Sequence, residues 1–386
     1  MPLSQALRPT SRWNSTAHSV DEADALLARL WSSTDARSAL TATTDTSAVR
    51  TGVMNLVVVA KGEERGLHAA ATLETLSRNP SRTLFIIPRD PEGPATFSAH
   101  LAVFCAAQPR GDGTTACTEL LRIDVGGAVV SHLSSVIAPL SLHDLPTLLW
   151  WDAPIDATSG DLHEMLRSID RIIIDGSTQI GSGLETLRAL SAATARTGTA
   201  LSDFSLIRQG RWRDAVAMAF DEPAIAPFLN GLTAITVTYA GAASGRGPVN
   251  IVKPMYHAAW LTSRLGATVE TPLHVEPDGW GATIRVKGSA RTIPIHLQAV
   301  SSERLPGTTL SLRIAAERRD EQLDLEVRAD GGAIYMRAHV NGTLVRERSL
   351  RAVRATEASL LSHSLEVGEV DPLSPAMLRA ALELIG

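Results

Sequence analysis

Through the first half of the chain, short apolar runs alternate with amphipathic segments. Asn55–Ala60 (N-L-V-V-V-A), Arg82–Pro88 (R-T-L-F-I-I-P), Leu145–Trp151 (L-P-T-L-L-W-W) and Arg171–Asp175 (R-I-I-I-D) are nearly continuous in apolar character and bounded by turn residues. Runs of this kind predict strands buried on both faces, as in a parallel sheet covered by helices. Between them the spacing becomes helical. Ser19-Val20-Asp21-Glu22 forms a capping box ahead of Leu26, Leu27, Leu30 and Trp31. From about Glu63 to Ser77, Leu67, Ala70, Ala71, Leu73 and Leu76 mark an inner side. Further helices are expected from about Ala128 to Leu140, from Asp161, and around Leu184–Ala195. Strand–helix–strand spacing implies parallel pairing with right-handed crossovers. Leu101–Ala106 and Ala116–Val125 flank the turn-rich Gln108–Thr115 and read as a hairpin with its tip near Gly111. Residues 1 to about 18 carry no pattern and are expected to be loosely attached, and Ser32–Ser47 reads as a linker.

The second half changes rhythm. Leu201–Phe220 turns helical towards its end and stops at Asp221-Glu222-Pro223. Thr233–Ala240 alternates as a strand, a glycine-rich loop spans Gly241–Gly247, and a helix is expected over about Val249–Leu265. From there to Arg351, turn signals at Pro277-Asp278-Gly279, Asp330-Gly331-Gly332 and Asn341-Gly342 predict an antiparallel sheet. Ser374 and Pro375 then open a last helix, with Met377, Leu378, Ala381 and Leu382 on its apolar side. The fold class expected is α/β: an N-terminal, mostly parallel, doubly wound sheet, then an α+β domain with a largely antiparallel sheet. The expected division is 1–50 for tail, helix and linker, 51–168 for the α/β domain, and 169–386 for the second domain.

Composition narrows the function classes. A chain of 386 residues with 44% hydrophobic and 20% charged residues suits two globular domains. Its net charge of -5 offers no concentrated basic face for nucleic acid. No apolar run approaches bilayer length, and the first ten residues lack the blocks of a secretory signal. Two cysteines argue for a reducing compartment, so the expected location is cytoplasmic.

Candidate chemistry is sparse. Trp150 and Trp151 must face opposite sides of their strand, beside Asp152 at its carboxyl end, where open α/β sheets place ligands or partners. Two bulky core residues are the alternative. Asp152 and Asp175 end neighbouring strands and, with Ser177 in D-G-S-T, outline one rim suited to acid/base work or metal binding. Asp after a strand is equally a turn or cap residue. The loop Gly241–Gly247 precedes a helix, yet contains neither G-K-[ST] nor G-x-G-x-x-G. No H-E-x-x-H, C-x-x-C or G-x-S-x-G occurs, so no catalytic residue, cofactor or metal is assigned. Asp203–Asp214 clusters Arg208, Arg211, Trp212 and Arg213, a composition favoured at interfaces and phosphate sites and also at the start of a basic helix with a core Trp. Cys105 and Cys117 are equidistant from the hairpin tip, so they are either a cross-strand redox pair or two buried thiols.

Seven segments in order carry a resemblance: N-L-V-V-V-A at 55–60, N-P-S-R-T-L-F-I-I-P at 79–88, H-L-S-S-V-I-A-P-L at 132–140, D-L-P-T-L-L-W-W at 144–151, D-R-I-I-I-D at 170–175, W-R-D-A-V-A at 212–217 and A-W-L-T-S-R-L-G at 259–266. Together they resemble the OpcA family, the glucose-6-phosphate dehydrogenase assembly proteins. The resemblance implies a non-catalytic partner of that dehydrogenase in the oxidative pentose phosphate pathway, with no cofactor of its own. It shifts the edge of Trp150, Trp151 and Asp152 from chemistry to domain packing or partner contact, and leaves Asp175, Arg208, Trp212 and Arg213 with them as a candidate partner or ligand surface. Similar proteins carry a D-x-N-W-x-R-L-like segment where this chain has Asp203–Gln209, so contact through that segment is expected to be altered. Redox control of the family's kind would have only Cys105 and Cys117 to act through. The competing reading is a nucleotide- or sugar-phosphate-binding α/β enzyme using the rim of Asp152, Asp175 and Ser177.

Overall fold

The computed structural model describes residues 11–34, 37, 40, 47–74, 80–105, 114–156, 160–242, 248–366 and 373–386. It divides into two compact units. The first comprises Met1–Ile174, Ala189–Ser202 and Glu357–Glu366; the second comprises Asp175–Arg188, Asp203–Thr356 and Val367–Gly386. The chain therefore crosses between units several times, where the sequence suggested one boundary after residue 168.

The first unit is built on a nine-stranded sheet. Its strands are β1 (Ser11–Ala17), β2 (Ser47–Arg50), β3 (Met54–Ala60), β4 (Ser81–Pro88), β5 (Thr96–Cys105), β6 (Thr114–Gly126), β7 (Thr147–Asp152), β8 (Arg171–Ile174) and β9 (Ala200–Asp203). The order is β1-β5-β6-β4-β3-β7-β8-β9, with β2 beside β6. The centre, β6-β4-β3-β7-β8, is parallel throughout. Every residue of β3 is buried, which is why its sequence reads as one apolar run rather than an alternation. Val57, Val59, Leu84, Ile86 and Leu149 meet Leu27, Ile137, Leu140, Leu166 and Leu190 in one core.

Three local expectations change. Ser11–Ala17, read as part of a tail, is an edge strand antiparallel to β5, with Ala17 buried in the core and Trp13 packed against it. The last residue of the supposed linker, Ser47, opens β2, which runs parallel to β6. The helix expected over 128–140 is a 3-10 turn, Gly127–His132, followed by the α-helix Ser134–Leu140. Gly127 starts it at φ +58, with a would-be Cβ only 2.6 Å from the Gly93 carbonyl oxygen, so a side chain is excluded at this start. The hairpin tip, including Gly111, and the last turn of the helix expected to reach Ser77 lie outside the described residues.

The second unit carries an eight-stranded sheet of β10 (Leu232–Ala240), β11 (Ala267–Glu276), β12 (Gly279–Val286), β13 (Thr292–Val300), β14 (Thr309–Arg318), β15 (Glu321–Asp330), β16 (Ala333–Val340) and β17 (Thr343–Arg351). The order is β11-β12-β13-β10-β14-β15-β16-β17, antiparallel except for the parallel β10–β13 pair. Alternation is clean: Leu312 and Ile314 are buried, while Arg313 between them is exposed and pairs with Asp324 on β15. The helices Gly210–Phe220, Val252–Arg264 and Leu373–Ile385 pack on this sheet. Val252–Arg264 buries every residue from Pro254 to Thr262, the mark of a helix enclosed on all sides. Asn341 and Gly342 both have positive φ, 49 and 77, as a type I′ hairpin turn requires. No helix among the described residues is long and apolar enough to cross a membrane.

Candidate functional site

At the carboxyl end of β7, Trp150 is only 1% exposed and Trp151 is partly buried against the core. Alternation along the strand places them on opposite faces, and both faces are covered. Trp150 therefore presents no surface to a partner, and of its expected uses only packing is open to it. Asp152 pairs with Arg65 Nη1 at 3.1 Å, an ion pair to the helix Glu63–Glu74 that follows the neighbouring β3. This carboxylate anchors a helix to the strand beside it.

Asp175 belongs to the second unit and has partners of its own. Its Oδ1 accepts from the Ser177 amide at 3.0 Å, the Ser177 hydroxyl at 2.6 Å and the Ser205 hydroxyl at 2.8 Å; its Oδ2 accepts from Arg208 Nη1. Burial alone would push this carboxyl up, but Arg208 and the two hydroxyls outweigh burial and hold it below the ordinary value. Ser177 donates its proton to a carboxylate held ionised by Arg208. Asp175 is the cap of the 3-10 turn Gly176–Thr178, as D-G-S-T permits, and Ser177 is a residue it caps.

Directly behind lies Asp203, 2% exposed. The amides of Gly176 and Ser205 donate to its Oδ1 at 2.9 and 2.7 Å, and the Tyr256 hydroxyl donates to Oδ2 at 2.8 Å. Burial, reinforced by the charge of Asp175, raises its pKa to about 6. Asn250 completes the junction, donating to the carbonyls of Gly176 and Gln179 and accepting from the Val252 amide. Gln209 donates to the Lys253 carbonyl at 2.7 Å. Three chain segments, 175–179, 203–209 and 250–256, are thus laced together by hydrogen bonds between polar groups. Two carboxylates of different pKa have the outline of an acid–base pair, yet Asp203 is enclosed by its donors and has no room for a substrate.

The W-R-D-A segment is equally internal. Trp212 is 9% exposed and meets His257 edge-on, with ring centroids 5.1 Å apart. Burial, helped by Arg213, lowers the His257 pKa to about 3, so the ring is neutral. Arg213 donates to the Leu206 carbonyl at 3.2 Å and meets Met377 Sδ; Arg211, exposed, pairs with Asp214. The departures from the D-x-N-W-x-R-L pattern, Ser205, Leu206 and Gln209, are all buried. They change how this unit packs rather than what its surface offers.

Cys105 and Cys117 face each other in register across β5 and β6 and are joined in a disulfide, with Cα atoms 4.0 Å apart. The two-thiol alternative does not hold here. Of the glycine-rich loop, residues 243–247 lie outside the described residues. Among the described residues no group of three or more His, Cys, Asp or Glu side chains could hold a metal. Sequence reasoning placed Asp203 in a family-like segment without a role and missed Asn250, Tyr256 and His257; the available signal was Tyr-His inside an otherwise apolar helical run, which obliges buried polar atoms to find partners.

Two family models match in tandem. The one described as glucose-6-phosphate dehydrogenase subunit N-terminal domain covers residues 72–192, and the one described as its C-terminal domain covers residues 199–375. A protein of Synechocystis sp. named OxPP cycle protein OpcA is 26% identical over 189 residues, 48% of this chain and 37% of that protein. Its namesake in Synechococcus elongatus is 23% identical over 190 residues, 49% of this chain and 40% of that protein. The matched stretches thus span less than half of either relative. Among solved structures, a 3-ketoreductase from Actinomadura kijaniata covers 86% of this chain and 95% of its own at 11% identity, with a TM-score of 0.48. An oxidoreductase from Sinorhizobium meliloti covers 87% and 97% at 13% identity, with a TM-score of 0.47. Scores below 0.5 at such identity establish neither a shared site nor a shared activity.

Proposed function

The chain belongs to the OpcA family, and from that premise we propose that it is a non-catalytic partner of glucose-6-phosphate dehydrogenase that promotes the enzyme's assembled, active form. The carrying observation is the tandem of two dehydrogenase-subunit domain models across residues 72–375. The internal character of the polar residues supports the same reading. Of the rim proposed for an enzyme, Asp152 is paired with Arg65, Asp175 with Arg208, and the Ser177 hydroxyl with Asp175, which favours structural roles for all three.

The mechanism is linkage. A partner that binds the active oligomer better than the inactive form shifts the population towards it, by no more than its difference in affinity. A tenfold preference corresponds to about 1.4 kcal/mol. Of the surface residues suggested by sequence, Trp151, Arg208 and Arg213 keep partly exposed atoms, whereas Trp150 and Trp212 are interior. The test is dehydrogenase activity and oligomer mass, measured with and without this protein across dehydrogenase concentrations. A complex with raised activity at low enzyme concentration is expected. Absence of both a complex and a kinetic change would refute the assignment.

A further inference from the structure

We propose that the first unit holds a binding site for a small oxyanion carried on a hydroxylated body, a phosphate ester or carboxylate of sugar size, at the amino-terminal end of its parallel strands. A cavity of about 590 Å³ opens there, within the size range of small-molecule sites. Its lining includes Arg50 at the end of β2, Gly52 just before β3, Arg82 as the second residue of β4, and Leu145 just before β7. This is the end opposite to the one where open α/β sheets place ligands, so strand-end rules applied to the sequence do not point to it.

The donors at its base point to an anion. Arg82 is 4% exposed. It donates from Nε to Glu119 Oε2 at 2.5 Å, from Nη2 to Glu119 Oε1 at 3.1 Å, and from Nη1 to the Leu140 carbonyl at 2.9 Å. A guanidinium has five N–H hydrogens, so two remain after these three bonds. Glu119 also accepts from Trp31 Nε1, and Arg50 lies 3.9 Å from its Oε1 with its guanidinium over the Trp31 ring. Two guanidinium groups thus share one buried carboxylate, with Arg82 buried at the base of a concave site and Arg50, 40% exposed, reaching the solvent. A guanidinium fork is matched by carboxylate or phosphate oxygens.

The walls specify the rest of the ligand. Leu27, Pro139, Leu142 and Leu145 supply apolar surface, and Ser141 a hydroxyl. Asp24 and Asp144 stand exposed at the rim. There water screens their repulsion of an anion, while their oxygens can accept from ligand hydroxyls. A bare anion therefore meets only part of the site. The site is built within the first unit alone and does not depend on the assembly role.

The test is calorimetric titration of the full chain with glucose 6-phosphate, gluconate, inorganic phosphate and glucose. Saturable binding of glucose 6-phosphate or gluconate with Kd below about 1 mM is expected, the tighter of the two identifying phosphate or carboxylate as the anionic group. Inorganic phosphate is expected to bind roughly tenfold more weakly and glucose not at all. Because Arg82 supports Glu119 inside the fold, the variant of choice is Arg50→Gln, at a side chain 40% exposed. It should weaken binding roughly tenfold with an unchanged melting temperature. Asp144→Asn, which removes a rim charge, should tighten inorganic phosphate. No saturable binding by any probe, glucose binding as tightly as its phosphate, or Arg50→Gln and Asp144→Asn both leaving affinity unchanged would overturn the proposal.

Discussion

Gly176 shows how tightly single residues constrain the second unit. A Cβ at this position would lie 2.4 Å from Asp203 Oδ2 and 2.8 Å from Val252 Cγ1, and neither neighbour can withdraw without losing its own bonds. Gly176→Ala is expected to destabilise the protein by about 1–3 kcal/mol in denaturant titration; a neutral outcome would mean the 175–179 turn is looser than its hydrogen bonds indicate. Asp203 offers a sharper test. Its folded pKa of about 6 lies above the ordinary 3.8, so its favourable contribution is full below about pH 4 and is lost as pH rises through about 6. Asp203→Asn fixes the neutral form and keeps an acceptor for the two amides. Relative to the parent, this variant should gain stability between pH 4 and pH 7, by an amount on the order of 1–3 kcal/mol. Melting curves at both pH values decide it, since a constant difference would mean the carboxyl ionises normally. Asp175 has the opposite sign: its pKa is lowered, so its contribution holds above about pH 4 and fails as pH falls through the folded value.

At the scale of elements, the disulfide between β5 and β6 closes a loop with a sequence separation of 12. Closing a loop of that length stabilises by about 2–3 kcal/mol in the chain-entropy account. Cys105→Ser, or reduction of the parent, should lower the melting temperature accordingly, and an unaltered melting curve in reductant would show that the bridge contributes nothing. Cys117 is fully buried beside Leu30, Leu40, Ala48 and Val103, so reduction should need partial opening of this hairpin. The edges of the second sheet are managed by charge. β17 alternates Arg346, Glu347 and Arg348, with Glu347 paired to Arg337 and both arginines to Glu222, which discourages pairing with another chain. Element type was legible wherever burial imposed a period. β3, β4 and β7 betray themselves as continuous apolar runs, and β14–β16 as alternations. β1 was illegible because Trp13 and Ala17, the residues it packs on the core, are too few among polar neighbours to show a period.

For the whole molecule, the family assignment makes a mass-action prediction. If the chain favours the assembled dehydrogenase by a factor of about ten, the enzyme concentration giving half-maximal specific activity should fall by a comparable factor when the partner saturates. Unchanged half-maximal concentration in the presence of a stable complex would favour a passive scaffold. At this scale the seven ordered segments made the family legible without coordinates, because they are mostly interior strands and helices whose residues are dictated by packing. The candidate site was much less legible. Trp150 and Trp212 drew attention by size and neighbours, and both proved to be interior. Arg82 and Glu119, which sit opposite each other in register on β4 and β6, were passed over as ordinary strand residues.

The chain's own pattern therefore determined the two-part α/β and antiparallel architecture, the parallel centre of the first sheet, the hairpin turns, and the cross-strand placement of Cys105 and Cys117. These follow from local spacing, since period and turn chemistry are read within about ten residues. Only the tertiary structure decided which polar groups meet: Asp203 with Tyr256, 53 positions away, Trp31 with Glu119, 88 away, and Arg82 with the carbonyl of Leu140, 58 away. The reason is physical. A buried polar atom must be satisfied, but any suitable partner will do, and the partner is selected by where the closed chain brings its segments together.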